Sequence, residues 1–162
     1  MLRVVVIVVA VPILLAGASE DRGPAQYQGE GFTCLLPHGV GVVRRTPAND
    51  FVLYDFKYKG KLLLGAYVGN HPDVGAEFLK EDRDSKRQAK EKGYSIRSVT
   101  RKTIGGAASR EVLFIFSFRG DWNDCLHFWY RGLSADMAKV ADAIITSTEP
   151  AVEEGDLKRV VP

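Results

Sequence analysis

Little in this sequence points to chemistry. Its 162 residues contain only two cysteines and three histidines. No Gly-x-Ser-x-Gly elbow or Ser-x-x-Lys pair is present, so the local signatures of a serine nucleophile are missing. The spacing of Cys34 and Cys125 excludes a Cys-x-x-Cys redox centre. His38, His71 and His127 fall at scattered turn and strand positions, without the local ligand spacing of a zinc site. Asp121-Trp122-Asn123-Asp124 offers oxygen ligands but lacks the length and spacing of a calcium loop. No metal or other cofactor is therefore expected. The formal charge of +2 gives no electrostatic argument for nucleic acid or for an anionic membrane. No internal repeat is visible.

Long apolar runs are also scarce, with one exception. Val4 to Ala16 carries no charge, but it falls short of the ~20 apolar residues needed to cross ~30 Å of hydrocarbon. It follows Arg3 and is followed by Ala16-Gly17-Ala18, the three-part pattern of a cleavable export signal. Residues 1–18 are accordingly read as a signal peptide cut before Ser19, an uncleaved anchor being the rival. Ser19 stands where lipoprotein processing would require cysteine. The mature chain would be periplasmic or secreted, with no stable membrane insertion. Its 144 residues suffice for one domain with a real core.

In an oxidising compartment Cys34 and Cys125 become a disulfide candidate. Closing so long a loop would contribute roughly 4–5 kcal/mol in the chain-entropy description. Two free buried thiols are the alternative, since cysteine is a common core residue.

Residues 19–30 are polar and carry glycine and proline, which reads as a flexible leader. Residues 31–149 read as the folded domain, and 150–162 as a disordered tail. Short strands are expected at Phe32–Leu36 and Val40–Arg45, with turn chemistry at Thr46–Asp50. From Phe51 to Tyr58 the even positions Val52, Tyr54, Phe56 and Tyr58 make one apolar face. Lys59-Gly60 is a hairpin connection, and Lys61–Val68, apolar on both sides, should be a central strand. From Val74 to Lys92 acidic residues lead and basic ones follow, as suits a solvated helix ending at Gly93.

Tyr94–Ile104, rich in arginine, lysine and threonine, reads as an edge strand. Arg110–Arg119 lines up Val112, Phe114, Phe116 and Phe118. Cys125–Arg131 returns after a hairpin loop. Ser134 caps a final helix whose apolar stripe is Met137, Val140, Ala141, Ile144 and Ile145. The expected fold class is α+β: a largely antiparallel sheet flanked by two helices, an αβα sandwich.

Phe32-x-x-x-Leu36-Pro37-x-Gly39 at the start, Gly105-Gly106 before a long strand, and Ile144-Ile145-Thr146-Ser147-Thr148 at the close resemble the Mog1/PsbP-like group. The resemblance spans roughly residues 31–148. It implies a small αβα sandwich serving as an accessory or binding module, and it brings no catalytic residues to transfer. Photosystem and nuclear-transport roles depend on particular partners and are not carried over.

Among the remaining features the aromatic hairpin is the most informative. Strand alternation sends Leu126, Phe128 and Tyr130 to one face and Cys125, His127, Trp129 and Arg131 to the other. The first face is expected to serve the core. The second, with Trp122 in the loop beside it, becomes a binding surface if no helix covers it; otherwise Trp129 packs beneath a helix. Arg97, Arg101 and Lys102 could add an anionic-ligand surface or simply protect an edge. Glu111, the one acid in a strongly apolar strand, falls near that strand's start, where solvent would reach it. The functional expectation is a non-enzymatic envelope protein that binds another envelope protein or a small ligand. A small periplasmic hydrolase or lyase with a dispersed site is the alternative; a pocket joining a histidine to Glu111 or Asp73 would favour it. Intact-mass measurement of the exported protein is expected to place its first residue at Ser19; a product retaining Met1–Ala18 would overturn the leader assignment.

Overall fold

The computed structural model describes residues 23–75, 87, 90–102, 105–116 and 125–151, apart from the side chains of Ala48 and Lys102. Its strands are β1 (Ala25–Gly29), β2 (Phe32–Leu36), β3 (Val40–Ala48), β4 (Phe51–Tyr58), β5 (Lys61–Gly69), β6 (Tyr94–Lys102), β7 (Ala108–Phe116), β8 (Cys125–Leu133) and β9 (Glu149–Pro150). The helix α1 (Ala135–Thr146) precedes β9. Six strands form an antiparallel sheet in the order β3-β4-β5-β8-β7-β6, and β1-β2-β9 form a smaller one. The architecture is an α+β sandwich.

The hairpin from β4 to β5 turns on Lys59 and Gly60, both at positive φ (49° and 76°), the left-handed conformation a two-residue hairpin requires. After β5 the chain does not pair with its next strand. It travels to the far edge, lays down β6, and returns through β7 to set β8 beside β5. Both central strands are consequently shielded on each side. Edge strand β6 carries the arginines expected of an edge. At the opposite edge β3 runs on through Pro47, which the sequence pattern places in a turn. An edge strand tolerates the missing N–H, and the register shifts between Arg45 and Ala48.

The core fills one face of the large sheet. Val52, Tyr54 and Phe56 of β4 meet Leu64, Ala66 and Val68 of β5, Val112, Phe114 and Phe116 of β7, and Leu126, Phe128 and Tyr130 of β8. α1 closes this face with Ala138, Ala141, Ile144 and Ile145, while Met137 and Val140 pack at its margin. Ser134 caps the helix as its composition predicts, its hydroxyl accepting from the Met137 N–H at 3.4 Å. Asp142 ties the helix to the sheet, accepting from Arg110 at 2.9 Å and from the Tyr130 hydroxyl at 3.2 Å.

Three sequence expectations change. Residues 25–29, assigned to the leader, form β1 and pair along β2 from Ala25–Leu36 to Gly29–Phe32. Only Tyr27 in that stretch is aromatic, so no alternation announces the strand. Its ring nevertheless reaches Phe32, Tyr54 and Phe56. Glu149-Pro150, at the start of the expected tail, pairs with Phe32 and Thr33 of β2. Val74 and Gly75 are not helical. Of the first expected helix, residues 87 and 90–92 are helical and Gly93 follows at φ 76°, the glycine C-cap anticipated there. The rest of that helix, the signal peptide, Trp122, Phe118 and the tail beyond residue 151 lie outside the described residues.

The disulfide expectation is corrected. No disulfide joins Cys34 to Cys125. Cys34 belongs to the core beneath α1, whereas Cys125 packs with Leu113 on the opposite face of the large sheet. A bridge needs Cβ atoms within about 4.5 Å, and an intervening sheet forbids that. The Cys125 thiol instead donates to the Gly69 carbonyl at 2.9 Å. Burial pushes the Cys34 thiol up to about 12, so it stays protonated and inert. Unfolding in iodoacetamide without reductant is expected to add two carbamidomethyl groups; groups gained only after reduction would restore the disulfide.

Candidate functional site

The face of the large sheet away from α1 carries the candidate site. Its pleat follows from the core packing: once Leu126, Phe128 and Tyr130 point to α1, their neighbours must point the other way. Cross-strand register then assembles two rows. In the first, Leu53 of β4 stands beside Tyr67 of β5, and Tyr67 beside His127 of β8. In the second, Asp55, Gly65, Trp129 and Glu111 follow one another across β4, β5, β8 and β7.

Gly65 makes this floor possible. A Cβ at that position would lie 2.5 Å from the Trp129 indole, so only glycine lets the ring settle across the neighbouring strand. Trp129 in turn leans on His127, their rings 5.2 Å apart at 39°. Phe51 and Tyr67 stack alongside at 5.5 Å and 24°. The Tyr67 hydroxyl accepts the His71 N–H at 3.0 Å, which anchors the segment leaving β5 against the sheet. Burial raises the Tyr67 pKa, keeping that hydroxyl protonated.

These groups enclose a groove of about 490 Å³, within the size range of small-molecule sites. Phe51, Leu53, Tyr67 and Trp129 make its apolar surface; Asp50, His71, Asp73, His127 and Arg131 supply polar groups. Trp129 and Arg131 also border a smaller cleft of about 230 Å³ with Leu62 and Leu133, where the β5–β8 pairing has ended at Gly65–Trp129.

His127 is buried at the floor, its side chain 6% exposed. Its Nε2 lies 3.5 Å from Glu111 Oε2, at the outer limit of a hydrogen bond, and Arg131 approaches the other carboxylate oxygen at 3.4 Å. Desolvation lowers the His127 pKa and outweighs the opposing pull of Glu111 and Asp73. The imidazole is neutral at pH 7.

His127, Trp129 and Arg131 thus meet in one groove, on the face the alternation assigned to them. Glu111 departs from expectation: its side chain is 15% exposed and clasped between two β8 residues, not solvated at a strand start. His71 and Asp73 join the groove, while His38 sits exposed in the turn before β3. Arg97 and Arg101 occupy the same face at the β6 edge, beside β7. Sequence reasoning missed Phe51, Leu53, Tyr67 and Asp50. The odd positions of Phe51–Tyr58 held the signal, an apolar pair turning polar, but nothing local tied them to β8. Among the described residues no group of three or more histidines, cysteines or carboxylates could hold a metal ion. No described helix is long and apolar enough to cross a membrane.

No protein-family model matches the chain, and no curated protein matches it significantly. Among solved structures it is similar to the solution structure of cyanobacterial PsbP (CyanoP) from Synechocystis sp. PCC 6803, at 13% identity and a TM-score of 0.37, over 87% of this chain and 100% of that one. It is also similar to a crystal structure from Bacteroides thetaiotaomicron VPI-5482, again at 13% identity and a TM-score of 0.37, over 83% of this chain. The chain spans 50% of that protein's length.

A pH dependence follows from His127. Its folded pKa lies below the unfolded value of 6.5, so unfolding takes up a proton between the two. Its neutral burial therefore contributes fully above pH 6.5 and is lost as pH falls through the folded value. Urea midpoints are expected to drop from pH 7.5 to 5.5, and less steeply in His127→Gln. Parallel profiles for the two proteins would show that His127 contributes nothing to the slope.

Proposed function

We propose that the protein is an exported accessory module that binds a small ligand in the groove over Trp129 and carries out no reaction on it. The groove itself supports this reading: a concave, mainly apolar surface of suitable size, with a few polar groups at its margins. The leader at residues 1–18 supports export. Trp129 is the anchor, its indole set on Gly65 and backed by His127.

The hydrolase or lyase reading draws on a groove that joins His71 and His127 to Asp73, and on the contact between His127 and Glu111 at its floor. Their geometry favours binding. The contacts to Glu111 are long, 3.5 Å from His127 Nε2 and 3.4 Å from Arg131, and that Nε2 is buried away from solvent. A general base must come within about 2.6–3.2 Å of the proton it abstracts, and a side chain only 6% exposed is poorly placed to reach one. The Glu111 carboxylate lies between His127 and Arg131, opposite Trp129 across the strands.

Native mass spectrometry of protein taken from the cells that export it is expected to show a retained molecule of a few hundred daltons. Trp129→Ala should lose it, and so should Gly65→Ala, which displaces the indole without removing it. Retention of the same molecule by both variants would move the site elsewhere.

A further inference from the structure

The charges around the groove are not balanced evenly. Among the described residues two arginines stand beside it, each facing a carboxylate, while Arg97 and Arg101 lie further out on the same face at the β6 edge. Arg131, whose side chain is 76% exposed, approaches Glu111 at 3.4 Å. Arg45, beside Leu53 in the cross-strand row, holds Asp55 at 2.7 Å. Asp50 and Asp73 line the groove and form no ion pair among the described residues. Asp50 lies in the β3–β4 turn next to Phe51, and Asp73 in the segment anchored by Tyr67. Both lie near enough to act on groove residues: Asp50 on the Tyr67 hydroxyl and Asp73 on His127. With His127 neutral, the groove presents, among the described residues, two aspartates that form no ion pair beside three aromatic rings.

That combination selects a chemical class. Aromatic faces carry negative potential and attract cations within about 6 Å, most strongly when those cations are poorly hydrated, as ammonium ions with organic substituents are. Carboxylates at the margin add attraction at longer range, reduced by salt. An anionic ligand would be repelled by Asp50 and Asp73, and Arg131 is already neighboured by Glu111. We propose that the groove takes a cationic organic ligand, an amine or quaternary ammonium group on an apolar or aromatic body. This deepens the binding reading and rests on it.

The test compares three probes of similar size: phenyltrimethylammonium, its neutral isostere tert-butylbenzene, and the anion benzenesulfonate. Saturation-transfer NMR against the mature protein reads all three, with calorimetry for any that bind. The cation is expected to bind at least about tenfold more tightly than the neutral isostere, and the anion more weakly than either. Asp50→Asn with Asp73→Asn should remove about tenfold of cation affinity and leave the neutral probe unchanged. Both aspartates are exposed, so this variant should keep the wild-type melting temperature.

Acidification supplies an independent readout. A proton on His127, faced by Glu111 of β7, Arg131 of β8, Tyr67 of β5 and Asp73 of the following segment, adds positive charge at the floor. Cation affinity should fall below pH 6.5 in the wild type and less in His127→Gln. Equal binding of cation and neutral isostere, both lost in Trp129→Ala, would overturn the charge class and leave the groove intact. Preference for benzenesulfonate would overturn the class in the opposite sense. No binding of any probe, or binding indifferent to Trp129, would overturn the cation proposal together with the groove reading beneath it.

Discussion

The rest of the structure depends on Phe128. Its ring, buried at the centre of the large sheet, meets Phe32 at 5.7 Å and Phe56 and Phe114 at 6.2 Å each. Those three partners come from β2, β4 and β7, so one side chain joins the small sheet to both halves of the large one. Edge-on and tilted aromatic contacts of this kind contribute about 0.5–1.5 kcal/mol each beyond the area they bury. Seating Phe128 toward α1 also fixes the pleat of β8. His127 and Trp129 are then turned outward, away from the helix. The core and the candidate site are two sides of one strand.

That coupling accounts for the character of the groove. Its floor is built on central strands whose outer pairings are complete, and so is held by the sheet and not by loops. Gly65 and Gly69 reduce the height of β5 where Trp129 and Tyr67 lie across it. A ligand arriving there would meet aromatic surfaces already positioned, which lowers the ordering cost of binding. The polar groups come from different sources. His127 and Arg131 belong to β8, whereas Asp50 and Asp73 come from the turn and the segment at one end of β4 and β5.

Elements governed by near neighbours were legible in the sequence. The stripe and cap of α1, the even face of β4, the positive-φ turn at Lys59-Gly60 and the division of residues 125–131 between two faces all follow from spacings of two to four residues. β1 and β9 were not legible. Each has few apolar residues and becomes a strand only because β2 offers it an edge. The cysteine pair failed for a related reason: compartment favours a bond, but only the fold says on which side of a sheet each thiol lies.

For the candidate site the division is similar. By itself the sequence determined that His127, Trp129 and Arg131 share a face, since alternation is a property of extended backbone and needs no partner. Only the tertiary structure decided what lies beside them. The crossing that carries the chain from β5 to the far edge and back sets β8 against β5, bringing Tyr67 to His127 and Gly65 under Trp129. It also draws Glu111, a nominal strand-end acid, into the cluster, and it leaves Asp50 and Asp73 at the margin of the groove. Pairing between strands sixty residues apart is chosen by the burial of the whole sheet, and no local pattern encodes that choice.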